Sequence, residues 1–131
     1  MIENFEDVQI DGAFIRELVL TTSKNLRMSL LRAPHEESER QVSVLSELQF
    51  HEIQSVHCNF DANPWLEIKS HATMSQSEYR KRYLADERGR ASGADVRHFQ
   101  MICDEGEINI LAPRFTIVVV EEIPHRGPSE G

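Results

Sequence analysis

The chain has 131 residues, of which 40% are hydrophobic and 27% are charged, and its formal net charge is -8. This size and composition are typical of one globular domain, and they exclude the charged, poorly hydrophobic mixture of a disordered chain. An acidic surface repels the phosphates of nucleic acid and attracts cationic proteins. We therefore expect a protein partner, a basic one in the first place, and no nucleic acid.

Neither export nor membrane insertion is indicated by the sequence. The segment Met1–Asp7 lacks the positive and apolar regions of a secretory signal. The most apolar stretch, Thr116–Val120, is far too short to cross a bilayer. We expect a cytoplasmic protein whose two cysteines, Cys58 and Cys103, are buried free thiols.

Most of the chain alternates apolar and polar side chains with a period of two residues, which is typical of strands with one buried face. The pattern predicts about eight short strands: Phe14–Thr22, Leu26–Arg32, Val42–Phe50, Val56–Phe60, Trp65–Ala72, His98–Cys103, Glu107–Ala112 and Phe115–Ile123. Ser23–Asn25 and Asp104–Gly106 predict tight hairpins, the first because Asn tolerates a left-handed conformation. A helix competes for the region from Val42 to Val56, but it would scatter Val44, Leu48 and Phe50 over its other sides.

One short helix is predicted after the fifth strand. Ser75 and Glu78 have the spacing of a capping box, in which the two side chains bond otherwise unpaired amides at a helix start. Tyr79 and Tyr83 follow one turn apart, and the glycines Gly89 and Gly93 limit the length of the helix.

The last strand is apolar on both faces over Ile117–Val120, which is typical of a central strand, and Glu121 and Glu122 would then limit aggregation. We expect a single β-rich domain over residues 1–123 and a disordered tail over 124–131. The predicted class is mainly β (α+β): an antiparallel β-sandwich or flattened barrel, with the helix covering an end or an edge.

Catalytic and metal signatures are absent from the pattern. Structural zinc sites show close pairs of ligands, whereas the histidines and cysteines here are scattered. No nucleophile elbow or phosphate-binding glycine loop occurs, so we predict no catalytic residue and no cofactor. The alternative is a small enzyme or metal protein in which His57, His71 and His98 converge in the fold.

Four residues are candidates for contacts with a partner: Trp65, His71, Arg80 and Arg82. The two arginines belong to the one locally basic region, which extends to Arg97, although interleaved acids there also fit an ordinary solvated face. Trp65 follows Pro64 and either packs at a sheet corner or presents its indole to a partner. An open sheet edge would also allow a homodimer.

Two segments carry a resemblance to known proteins. Phe60–His71, with its Pro-Trp-x-Glu-Ile turn and strand, and the hairpin Phe99–Ile110 resemble segments of small bacterial β-rich proteins of unassigned function. Some proteins of that kind are immunity proteins, which bind and neutralise a toxin from a neighbouring locus. The resemblance spans roughly residues 42–123, implies the same kind of fold and a protein partner, and supplies no catalytic residue.

Overall fold

The computed structural model describes residues 4–33, 42–60, 66–75, 77–85, 96–104 and 106–124, except for the side chain of Phe60. A 3₁₀ turn, Phe5–Asp7, precedes the first strand. The strands are β1 (Phe14–Leu20), β2 (Leu26–Arg32), β3 (Val42–His51), β4 (Ser55–Phe60), β5 (Leu66–Thr73), β6 (Arg97–Cys103), β7 (Gly106–Ala112) and β8 (Arg114–Pro124), and the helix α1 spans Glu78–Ala85 between β5 and β6. The predicted strands are thus present, with ends that differ by one or two residues.

The strands form one antiparallel sheet in the order β4-β7-β6-β5-β1-β2-β3-β8. The pairing between the two central strands is short, because β1 and β5 pair only through Phe14 with Glu67 and Ile15 with Leu66. We call β1, β2, β3 and β8 the first half of the sheet, and β4 to β7 the second half. The chain crosses between the halves at 52–54 and again at Pro113.

The two halves pack face to face around an aromatic core. The ring of Phe50 on β3 lies 5.2 Å from that of Phe99 on β6, and Phe115 of β8 lies 5.6 Å from Phe99. Phe5 of the 3₁₀ turn is fully buried among these three rings in edge-on contacts. Aromatic pairs in this geometry add to the burial of apolar area. The predicted mainly β, sandwich-like fold is confirmed, with an open sheet whose two edges are β4 and β8.

The helix α1 covers the outer face of the second half, but its start differs from the prediction. The cap is Ser77, whose Oγ accepts the backbone N–H of Arg80 at 2.9 Å, and helical structure begins at Glu78. The capping box at Ser75 was therefore the wrong choice. Ser75 is exposed, whereas Ser77 is held by a buried histidine, so a tertiary contact overrides the local pattern, which favours Ser75.

Three further expectations are corrected. The strand predicted to be central, β8, lies at the sheet edge, and it continues through Pro124. Cys58 is exposed rather than buried, because it lies on the other edge strand, β4. In the first hairpin the left-handed residue is Lys24, with a φ of 62°, and not Asn25.

Some predicted features lie outside the described residues, namely Trp65, Gly89, Gly93 and the tail 125–131. Within the described ranges, no helix has the length and apolar character that crossing a bilayer requires.

Candidate binding surface

His71, a candidate for partner contact, points into the core. Its ring meets that of Phe5 edge-on at 4.9 Å, and its Nδ1 lies 2.6 Å from Oδ1 of Asp11. The side chain is 5% exposed, and its Nε2 is buried without a hydrogen-bond partner. This histidine therefore ties the N-terminal segment to β5 and is not available to a partner at the surface.

The two candidate arginines have different positions on α1. Arg80 is half-buried, and its Nε donates to the backbone carbonyl of Val96 at 2.6 Å. Across a cleft of about 580 Å³, Arg97 donates in the same way to the carbonyl of Pro113. Both guanidinium groups thus bind backbone at the entry to β6 and the exit from β7. Arg82 is exposed in the last turn of the helix.

A buried polar network joins α1 to the second half of the sheet. Ser77 Oγ lies 2.6 Å from Nδ1 of His98, and Nε2 of His98 lies 2.7 Å from Oδ1 of Asn109. The same Asn109 oxygen accepts a hydrogen bond from Gln100. Since Oδ1 of Asn109 can only accept, Nε2–H of His98 donates to it, and Nδ1 of the neutral ring then accepts the hydroxyl of Ser77.

A serine beside a histidine is also the arrangement of an activated nucleophile. Here Ser77, His98 and Asn109 are each more than 90% buried, and the serine oxygen caps a helix. Every hydrogen-bonding group on the histidine ring has a partner within the network. The contacts therefore account for these residues as the attachment of α1 to the sheet.

The alternative metal ligands do not come together. His71 pairs with Met101 and lies on the inner face, whereas His98 precedes the inward-facing Phe99 and lies on the outer face beneath α1. His57 is exposed on the edge strand β4, opposite Asn109. Among the residues that the structure describes, no three His, Cys, Asp or Glu side chains are grouped so that they could hold a metal ion.

The most unusual surface is the open edge of β8. This strand pairs with β3 on one side along its whole length, and no other described strand lies on its second side. Val118, Val119 and Val120 are 57%, 61% and 56% exposed. An exposed apolar edge strand offers unpaired backbone donors and acceptors together with apolar side chains, so it is a template for another strand.

Features along β8 limit where another strand could pair. Val120 has no partner on β3, because the register shifts there and forms a bulge. Glu121 and Glu122 follow the bulge, and the strand ends at Pro124, which has no amide donor. Charge, proline and bulges are the usual protections of sheet edges. The unprotected stretch is therefore the part from Thr116 to Val119.

On its inner side this stretch borders an apolar groove of about 320 Å³. We call it the inner groove, and its apolar walls are Val8, Ile10, Leu30, Val44, Ile117 and Val119. Asp7, Gln9 and Arg32 lie at its polar rim, where Arg32 donates to the backbone carbonyl of Gln9 at 3.2 Å. The groove lies where the N-terminal segment approaches β3 and β8.

A smaller pocket of about 140 Å³ lies on the outer side of the same edge. We call it the outer pocket, and it is lined by Glu17, Arg27, Ser29, Leu45, Glu47 and Val120. The cross-strand pairing places Glu17, Ser29, Glu47 and Val118 in one row over β1, β2, β3 and β8. Gln49 donates to Glu47 at 2.5 Å, and the pocket carries two carboxylates against one guanidinium.

None of the residues chosen from the sequence belongs to this surface. A signal for it was nevertheless present, because the sequence Glu121-Glu122-Ile123-Pro124 carries the charges and the proline that protect sheet edges. The hydrophobicity of the run before it predicts a central strand, because hydrophobicity alone does not distinguish a central strand from an edge strand.

Comparison with known proteins adds no relative to this picture: no family model, no curated protein and no solved structure matches the chain.

Proposed function

We propose that this protein is a non-catalytic binding domain that holds another protein chain at the open edge of β8. The observation that carries the proposal is the run of three valines on this edge, each more than half exposed. In β-strand addition, main-chain hydrogen bonds provide affinity, and pockets beside the edge select alternate side chains. The edge of β8 has a pocket on each side.

Charge supports a basic partner rather than a second copy of this chain. The net charge of -8 repels another copy at long range and attracts a cationic protein. Locally, Glu121 and Glu122 follow the valines, and Glu47 lies on the neighbouring strand. A second copy would bring an equally acidic edge against this one.

The resemblance to immunity proteins gives the proposal a narrower form. In this form the partner is a basic toxin encoded beside the gene for this protein, and pairing at β8 neutralises it. Small size, negative charge and a binding edge without catalytic groups suit that role.

Site-specific photo-crosslinking in the source cell tests the proposal. The crosslinking amino acid replaces Val118, and in a matched control it replaces Lys81, which is exposed on α1 away from the edge. We expect one dominant protein adduct from position 118 and none from position 81. The double variant Val118→Lys and Val120→Lys, which keeps the fold because both sites are exposed, should remove the partner from co-purification.

The mass of the adduct separates the possible occupants. An adduct of twice the 15.1 kDa mass would identify a second copy as the occupant and contradict the proposal of a different partner. Equal adducts from both positions, or none from position 118, would remove β8 as the binding surface. For the narrower form, co-expression with the adjacent gene should restore growth with the native chain and fail with the double lysine variant.

A further inference from the structure

We infer that the partner presents an extended segment in which apolar side chains alternate with lysine or arginine. This inference rests on the proposed function, and it adds the chemistry of the partner. It follows from the positions of the inner groove and the outer pocket on opposite faces of one open edge.

The geometry of a strand imposes the alternation. Successive side chains of a strand point to opposite faces of the sheet, so a strand added to β8 directs every second residue inward and the others outward. The inward residues meet Val119 and the inner groove, and the outward residues meet Val118, Val120 and the outer pocket. Two neighbouring residues of the partner therefore meet two different chemical environments.

The inner groove selects an apolar residue. Most of its lining is aliphatic; Ser46, directly opposite Val119, is polar, and Asp7, Gln9 and Arg32 form the rim. An aliphatic side chain gains stability by leaving water for such a groove, whereas a polar side chain would lose much of its hydration there and find few partners. The apolar half of the pattern follows from this difference.

The outer pocket selects a long cationic residue. Glu47 lies directly opposite Val118, one strand inward from the edge, so its carboxylate is about two strand spacings, or roughly 10 Å, from the backbone of an added strand. Lysine and arginine can lay their methylene stems along Val118 and Val120 and extend the charge toward that carboxylate. Glu17, two strands further in the same row, adds a second negative charge.

The positive charge of Arg27 reduces the attraction of the outer pocket for a cationic residue but does not cancel it. The pocket holds two carboxylates and one guanidinium, so its formal charge is -1. The ion pairs between described residues lie elsewhere and join Lys69 to Glu67 and Lys81 to Glu78. The carboxylates of the pocket thus remain able to attract a partner cation.

Peptide titration of the intact protein tests the inference. The probe is an acetylated seven-residue peptide of alternating leucine and lysine, and binding is followed by amide shifts in NMR spectra and by fluorescence anisotropy. A peptide with glutamate in place of lysine tests the charge, and a peptide of the same composition with leucines and lysines in separate blocks tests the alternation. We expect at least about ten-fold weaker binding for both comparison peptides.

A variant of the protein tests whether Glu47 accounts for the preference for lysine. Glu47→Gln should weaken the lysine peptide about two- to five-fold, as expected for a partly exposed ion pair, and this loss should shrink at high salt. The matched control is Glu78→Gln on α1, which is exposed and distant from β8 and should bind as the native chain does.

The outcomes separate the inference from the proposed function. Equal binding of the lysine and glutamate peptides, with shifts at β8 in both cases, would overturn the inferred chemistry and leave the binding edge supported. Equal binding of the blocked peptide would overturn the alternation. If no peptide shifts β8 and crosslinking at Val118 also gives no adduct, the proposed function itself fails.

Discussion

Replacement of Ser77 by alanine tests how the only helix among the described residues is attached to the sheet. The hydroxyl of Ser77 caps α1 through the amide of Arg80 and donates to Nδ1 of His98, which is 5% exposed. Loss of a helix cap costs about 1 kcal/mol, with a range of roughly 0.5 to 2. A buried ring nitrogen left without its donor costs about 1 to 3 kcal/mol more. We therefore expect Ser77→Ala to lower the free energy of unfolding by about 2 to 4 kcal/mol.

Ser75→Ala is the matched control, because the local sequence pattern favours Ser75 as the cap. Ser75 is exposed and precedes the helix by three residues, so its loss should change stability by less than about 0.5 kcal/mol. Ser77→Thr keeps both hydrogen bonds and should retain most of the stability.

Urea denaturation followed by circular dichroism measures these differences, and amide exchange at Arg80 reports the cap directly. For a domain of this size the expected loss corresponds to a melting temperature lowered by roughly 8 to 16 °C. If Ser75→Ala were as destabilising as Ser77→Ala, or if Ser77→Ala cost less than about 0.5 kcal/mol, the network would not attach the helix as described.

Three further predictions concern the N-terminal turn and the thiols. Phe5→Ala should lower the free energy of unfolding by about 3 to 5 kcal/mol in urea denaturation, because the ring fills the centre of the aromatic core. Val119→Ala at the exposed edge is the control and should lower it by under about 0.5 kcal/mol. Equal losses for the two variants would contradict the packing. A hydrogen bond from a β5 backbone amide lowers the pKa of Glu6 below 4.5, so its stabilising effect is full above that pH and is lost as the pH falls through the folded-state value. The stability difference between the native chain and Glu6→Gln, measured by denaturation at several pH values, should therefore vanish in acid, and a difference that does not depend on pH would argue against this bond. Burial raises the pKa of Cys103 to about 11, and partial desolvation on the edge strand raises the pKa of the more exposed Cys58. Iodoacetamide at pH 8 should therefore react slowly with both thiols but first with Cys58, in a phase that Cys58→Ser removes. Faster labelling of Cys103 in mass spectra would contradict its burial.

Local chemistry determined much of the fold. Two-residue alternation located the strands, because a strand with one buried face must place apolar groups at every second position. The hairpins at Ser23–Asn25 and Asp104–Gly106 followed from turn residues, and the spacing of Tyr79 and Tyr83 placed them one turn apart on α1. These features depend on neighbours in the chain, so the sequence contains them directly.

The position of each strand in the sheet was decided by tertiary structure. Ile117–Val120 has the composition of a central strand, yet β8 lies at the edge of the sheet. Apolar composition does not determine strand order, because apolar side chains can also line a groove or remain exposed. Cys58 likewise occupies an apolar position in the alternation of β4, but it is exposed because β4 is an edge strand.

The positions of the candidate site residues also depended on the order and register of the strands. His57, His71 and His98 were equivalent in the sequence, and the faces and edges of the sheet separated them into an exposed, a core and a helix-bound position. Glu17 and Glu47 belong to strands that are distant in the chain, and only the register of β1, β2, β3 and β8 places them in one row with Val118. Side-chain periodicity is a local property, whereas strand order and register arise from contacts between distant segments, and these contacts leave β8 as an open edge.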